Sequence, residues 1–271
     1  REMEKIFPQQ VGVTIRKWEI LFGSGANPLN ETQLREAGLT NATVADGGLM
    51  VTGFPVGNPT YIANMIDLKI NEHSQRLNSV STLALKDPQI ALLIFIYCCV
   101  RRIHFMLQVI PYDAAPQQFD RADDILLHAF CFITNISLGE ITADPDTITR
   151  IRLPWRLGGQ GLPAIADIAD AALIGSWANT ASWLQQIHPP LAHINADNSV
   201  HSSHIQHAFD RLIARGDDIQ AVLPLDLNDF TDDGRHTHLQ REITIATDNS
   251  TFNALLAKLD QRGEPSKAAA A

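Results

Sequence analysis

The segment that most constrains this chain begins at Asp87-Pro88. Aspartate suits an N-cap, because its carboxylate accepts an orphan backbone N–H, and proline suits the first helical turn. Gln89–Ile110 then runs without a breaker until Pro111, and within it Ile90–Val100 is an unbroken apolar run of 11 residues. A helix that is apolar on every side predicts burial all round. The apolar run is well short of the ~18–20 residues a bilayer span needs, so no membrane partner is expected. Arg101, Arg102 and His104 end the run.

A core helix of this kind needs a protein around it. The chain has 271 residues, 45% hydrophobic and 19% charged, enough for one or two domains with a sizeable core. Before the helix, Val11–Phe22 is β-branched and aromatic, predicting short strands around Thr14 and Ile20. Asn30–Ala37 predicts one or two helical turns stopped by Gly38. Asp46-Gly47-Gly48 predicts a turn joining a strand pair, with Leu49–Phe54 as a strand and Pro55–Pro59 as irregular chain. Tyr61, Ile62, Met65, Ile66, Ile70 and Leu77 then follow a helical period.

Beyond Pro111, helices are predicted at about 119–138, 164–187, 200–215 and 250–262. Between the first two of these, residues 147–163 hold three arginines, two prolines and three glycines, which predicts a non-helical hinge. No internal repeat recurs at a fixed period. The fold class expected is α+β, mainly α: a small N-terminal β-hairpin piece followed by a helical bundle.

Charge narrows the function classes. Lys and Arg total 21 and Asp and Glu 30, a net of −9, which excludes a chain that wraps nucleic acid along its whole length. The excess acid lies beyond residue 110, so a polyanion-facing surface belongs to the first part. Three cysteines, with Cys98 and Cys99 adjacent, make no disulfide framework or CxxC metal pair. Both fit small buried hydrophobes in a reducing, intracellular compartment, cytoplasmic or nuclear and not secreted.

Catalytic motifs are sparse. Gly158-Gly159-Gln160-Gly161 lacks the lysine of a phosphate loop, and a glycine-rich turn accounts for it better. His201, His204 and His207, with His236 and His238 beside Asp232 and Asp233, match no standard zinc spacing. Asp123-Asp124 fits a helix face better than a two-metal site, because helical neighbours point about 100° apart. No GxSxG elbow exists. No catalytic constellation and no metal site are therefore expected from the residues alone.

The order of features carries more. Gly12–Phe22 resembles the segment just after the catalytic aspartates of non-LTR (LINE-type) retrotransposon reverse transcriptases. Asp46–Gly57 resembles their primer-grip hairpin. The helix from Pro88 through Arg101-Arg102 is similar to their first long thumb helix. Arg152-Leu153-Pro154-Trp155-Arg156-Leu157-Gly158-Gly159-Gln160-Gly161-Leu162 resembles their Leu-Pro-x-Arg-Leu-Gly-Gly-x-Gly-Leu signature. Ser176-Trp177 and Leu239–Ile243 resemble patches found further along the same open reading frames.

This resemblance implies a palm remnant at residues 1–60, a thumb-like helical domain at 61–145 and a helical extension at 146–271. The parent would be an RNA-directed DNA polymerase using two Mg²⁺ ions held by aspartates outside this chain. The fragment itself would carry no cofactor and would be inactive alone. Its expected partners are RNA or an RNA–DNA template–primer, and the missing fingers-and-palm segment. Gly53, Phe54, Pro55, Val56 and Gly57 would approach the primer backbone. Arg101, Arg102, Arg150, Arg152 and Arg156 would contact phosphates, and Lys17 would play an auxiliary part near the leaving pyrophosphate. The alternative reading is a non-catalytic helical protein-interaction module.

Overall fold

A computed structural model describes residues 18–20, 30–39, 42–187, 200–224, 226–231 and 238–262. Lys17, the strand expected near Thr14, the Asp232-Asp233 pair and His236 lie outside these residues. The chain divides into two compact units, Arg1–Asp67 and Leu68–Ala271.

The first unit holds the strands. β1 (Trp18–Ile20) pairs in parallel with β2 (Ala42–Val44), and α1 (Glu31–Glu36) lies between them in sequence. Asn30 caps α1 with a reciprocal box: its side chain accepts from Gln33 N–H at 2.9 Å, and the Gln33 side chain accepts from Asn30 N–H. β3 (Gly48–Val51) and β4 (Phe54–Gly57) form an antiparallel hairpin in the register Val51↔Phe54 to Gly48↔Gly57. The turn is therefore Thr52-Gly53, and not Asp46–Gly48 as expected. The predicted strand 49–54 is split by that turn, and the stretch expected to be irregular supplies β4. Thr52 and Gly53 have φ of 50° and 92°, the positive pair that suits the right-handed twist of a two-residue hairpin. Period-2 pattern was too short here to expose a turn inside it.

α2 (Pro59–Ala84) follows directly, its first turn capped by Asn58, whose side chain accepts from Tyr61 N–H at 2.8 Å. α3 (Pro88–Gln108) opens as predicted, with Asp87 accepting from Ile90 N–H at 3.0 Å. Its middle, Phe95–Val100, is a π-helical segment and its end, Phe105–Gln108, is 3₁₀. The expectation of burial all round is overturned. Ala91, Phe95, Ile96, Cys99, Val100 and Ile103 are buried, whereas Ile90, Leu93 and Tyr97 are about half exposed. Apolar content does not tell a core face from an apolar surface face. Cys98 is likewise exposed and only Cys99 is buried. By length and mean hydropathy α3 could cross a membrane, but half of its apolar window is buried against its own protein.

α4 (Pro116–Thr134) supplies the other wall of this core, with Phe95 and Phe130 rings 6.5 Å apart. It ends four residues before the expected limit. Asn135 takes a left-handed conformation there, and Ser137 caps a new helix, α5 (Leu138–Ala143). α6 (Pro145–Arg152) occupies the first part of the segment expected to be non-helical; the Asp144 cap and Pro145 start it, and Pro154 ends it.

α7 (Ile165–Ile187) is the centre of the second half. It packs on α8 (Val200–Ile213) and α10 (Leu239–Gln261) through Ile174, Ala178, Ala181, Ala208, Leu212 and Ile243, and the short α9 (Asp217–Gln220) joins the same core through Ile219. Its small residues let α10 come close: a methyl on Gly175 would lie 2.4 Å from Gln240 Cβ. α10 starts eleven residues before the predicted Ser250. Thr244, Thr247 and Thr251 hid it, since threonine is a weak helix former. Each donates its hydroxyl to the carbonyl four residues back, at 2.8–2.9 Å.

Candidate nucleic-acid interface

The expected phosphate contacts fall into two groups. Arg101 and Arg102 are exposed on α3, and no hydrogen bond or ion pair engages either of them among the described residues. Arg152 and Arg156 are engaged internally. Arg152 forms a two-pronged ion pair with Asp123, both side chains being under 20% exposed, and also reaches Leu162 O at 3.4 Å. Asp123 in turn accepts from Ile165 N–H at 3.2 Å, at the start of α7. One carboxylate therefore ties α4, α6 and α7 together. Burial pushes its acid form up, against the pull of Arg152.

Arg156 donates to Asp248 Oδ2 at 2.9 Å and Asn249 Oδ1 at 3.0 Å on α10. The loop from Leu153 to Ala164 is thus held at its base by Arg152 and at its 3₁₀ turn, Trp155–Leu157, by Arg156. Gly159 sits inside that loop, where a Cβ would come within 2.0 Å of Leu153 O and 2.6 Å of Arg150 O. A larger residue at that position forces the loop backbone to shift. What it presents to solvent is Trp155, 48% exposed. Arg150 is exposed on α6.

Trp155 meets α3. Its ring stands edge-on to Tyr97, with centroids 5.9 Å apart and planes at 82°. Tyr97, Arg101 and Phe105 recur every four residues and share a face. Tyr97 and Phe105 are 60% and 58% exposed, and Arg102, next in sequence to Arg101, is exposed as well. Trp155 stands inside the Arg152–Leu162 signature, whereas Tyr97 and Phe105 belong to no motif. The i, i+4, i+8 spacing was readable, but in a helix expected to be buried it carries no sign of exposure.

The burial around α3 has electrostatic consequences. His73 on α2 is 3% exposed, and neither ring nitrogen has a hydrogen-bond partner among the described residues. Burial, with Arg102 and then Arg76 nearby, lowers its pKa to about 4. Burial and Arg101 lower that of His104 to about 3. Both rings are neutral at pH 7.

The hairpin residues belong to the other unit. Gly53 forms the turn, Phe54 is half-buried, Pro55 is buried and Val56 is exposed. Gly57 faces Gly48 so closely that a Cβ on it would sit 2.4 Å from Gly48 Cα. The glycines of this motif therefore have a structural reason within the hairpin itself.

The remaining expected groups are scattered. His204 Nδ1 lies 2.8 Å from Asp113 Oδ1, close but not aligned as a hydrogen bond. His207 and His238 are exposed. Among the described residues no three metal-ligating side chains converge. Asp170, 4% exposed, is held by Arg211 at 2.7 Å and Arg215 at 3.5 Å, a charge cluster internal to the α7–α8 contact.

No family model, curated protein or solved structure matches the chain.

Proposed function

We propose that this chain is a nucleic-acid-gripping fragment resembling the post-catalytic half of a retroelement reverse transcriptase. Its ligand on this reading is an RNA or RNA–DNA template–primer. The single observation that carries it is the pair Arg101-Arg102: two adjacent, exposed guanidiniums with no hydrogen-bond or ion-pair partner among the described residues, on a long helix whose other face is core. A guanidinium left unpaired in this way is free to take a phosphate. The metal-bearing aspartates of the parent polymerase would lie outside this chain, so no nucleotidyl-transfer activity is proposed for it. Arg152 and Arg156 serve the fold and are removed from the phosphate-contacting set.

The test is affinity for an RNA–DNA template–primer with a single-stranded overhang, followed as salt is raised. Binding that weakens with salt, and that fails in Arg101→Ala/Arg102→Ala, supports the reading. Affinity that is absent, or indifferent to that double substitution, removes it. A protein-interaction module is favoured by one specific observation, the exposed Ile90, Leu93 and Ile94 beside Tyr97. Salt-insensitive binding confined to protein partners would select it.

A further inference from the structure

Phosphate contacts alone do not use the aromatic surface of α3. Tyr97, Phe105 and Trp155 are large and about half exposed, and Arg101 and Arg102 on the same helix have no hydrogen-bond or ion-pair partner among the described residues. Exposed rings interleaved with cations are what unpaired bases use: every base has a stacking face, and each phosphate needs a positive charge. Duplex backbone contacts need the cations only.

Spacing argues in the same direction. Residues four apart on a helix are separated by ~6 Å along the axis. Successive nucleotides in a stacked duplex strand rise ~3.4 Å. The Tyr97 and Phe105 rings, eight residues apart, therefore stand ~12 Å from each other with the Arg101 guanidinium between them, which suits a strand pulled out of its stack. The Tyr97 ring has a fixed wall on one side, because Trp155 stands edge-on to it. Trp155 itself lies between two anchors of its loop, Arg152–Asp123 and Arg156–Asp248. A site fixed before binding loses less freedom when a base arrives.

We infer that the Tyr97–Arg101–Phe105 row, with Trp155 and Arg102 at its edges, is a stacking platform for single-stranded nucleic acid, in preference to duplex. This names the ligand class within the nucleic-acid reading above and rests on it.

The experiment compares a fluorescein-labelled oligothymidylate with a blunt DNA duplex of the same length, by fluorescence anisotropy on the whole chain. The single strand is expected to bind roughly tenfold tighter. Tyr97→Ala should weaken single-strand binding by about tenfold and leave duplex binding unchanged, while Tyr97→Phe, which keeps the ring, should behave as the parent. Urea midpoints of each variant establish that the fold is kept; if Tyr97→Ala unfolds, Trp155→Ala and Phe105→Ala carry the same comparison. Equal or tighter duplex binding, or single-strand binding unmoved by Tyr97→Ala, overturns the platform and leaves a phosphate-only grip. If neither probe binds in a salt-dependent way, the nucleic-acid reading falls with it. Self-association relieved by Tyr97→Ala, with no oligonucleotide bound, assigns the row to a protein contact and also overturns the inference.

Discussion

Arg152 and Arg156 are separated by three residues and by very different environments. Arg152 neutralises Asp123 under the surface, so Arg152→Ala strands a carboxylate that also holds the start of α7. We expect a loss of about 3 kcal/mol in urea unfolding. Arg156 is 41% exposed, and Arg156→Ala should cost no more than about 1 kcal/mol in the same measurement. Similar losses from the two would contradict this division. Nothing in the sequence separated them, since both stand in the same Arg/Pro/Gly-rich segment and only the folded chain brings Asp123 to one and Asp248 to the other. His73 has a separate consequence for pH. Its folded pKa of about 4 lies below the unfolded 6.5, so the unfolded chain binds more protons between those values. Stability is full above pH 6.5 and falls as pH drops toward 4, by about 3 kcal/mol from this group. His104 extends the fall toward pH 3. His73→Gln should flatten the urea midpoint between pH 7 and pH 4; a profile as steep as the parent's would refute the assignment.

At the scale of elements, two glycines with different reasons make a clean comparison. Gly159 is confined by carbonyl oxygens, so Gly159→Ala must displace backbone and should cost about 3 kcal/mol. Gly53 has nothing within 4 Å of a Cβ and only its positive φ to protect, so Gly53→Ala should cost about 1 kcal/mol. Thermal or urea unfolding of the two variants reads the difference directly. Element boundaries were legible where a side chain closes its own cap. Asp87 and Asn30 announce α3 and α1 in this way. They were illegible where a helix is sustained by packing, as in the threonine-bearing first half of α10. Burial of α3 was the larger failure, because hydrophobicity reports transfer from water and not the presence of a neighbour.

For the whole molecule, the mixture of small sheets and many helices followed from pattern alone. The candidate interface did not, because it is made by α3 meeting a loop some fifty residues further on. Net charge of −9 also bears on binding at this scale. Two arginines on an acidic protein give a modest grip, which makes salt the decisive variable. Removing both in Arg101→Ala/Arg102→Ala should lower the slope of log affinity against log salt by about 1.4 for a single strand. A slope unchanged by the substitution would show that other cations hold the phosphates. The π-helical turn at Phe95–Val100 sets where those cations stand. Such a turn takes up one residue more than an α-turn, the trace that a one-codon insertion leaves in a helix. Deleting one residue there would let α3 run straight, and everything after it would rotate by about 100°. Arg101, Arg102 and Phe105 would leave the line of Tyr97, while Phe95 and the helix start kept their places. The alignment of the row therefore hangs on residue count as much as on side-chain chemistry: a variant one residue shorter there would carry the same rings and cations on two faces that no longer meet.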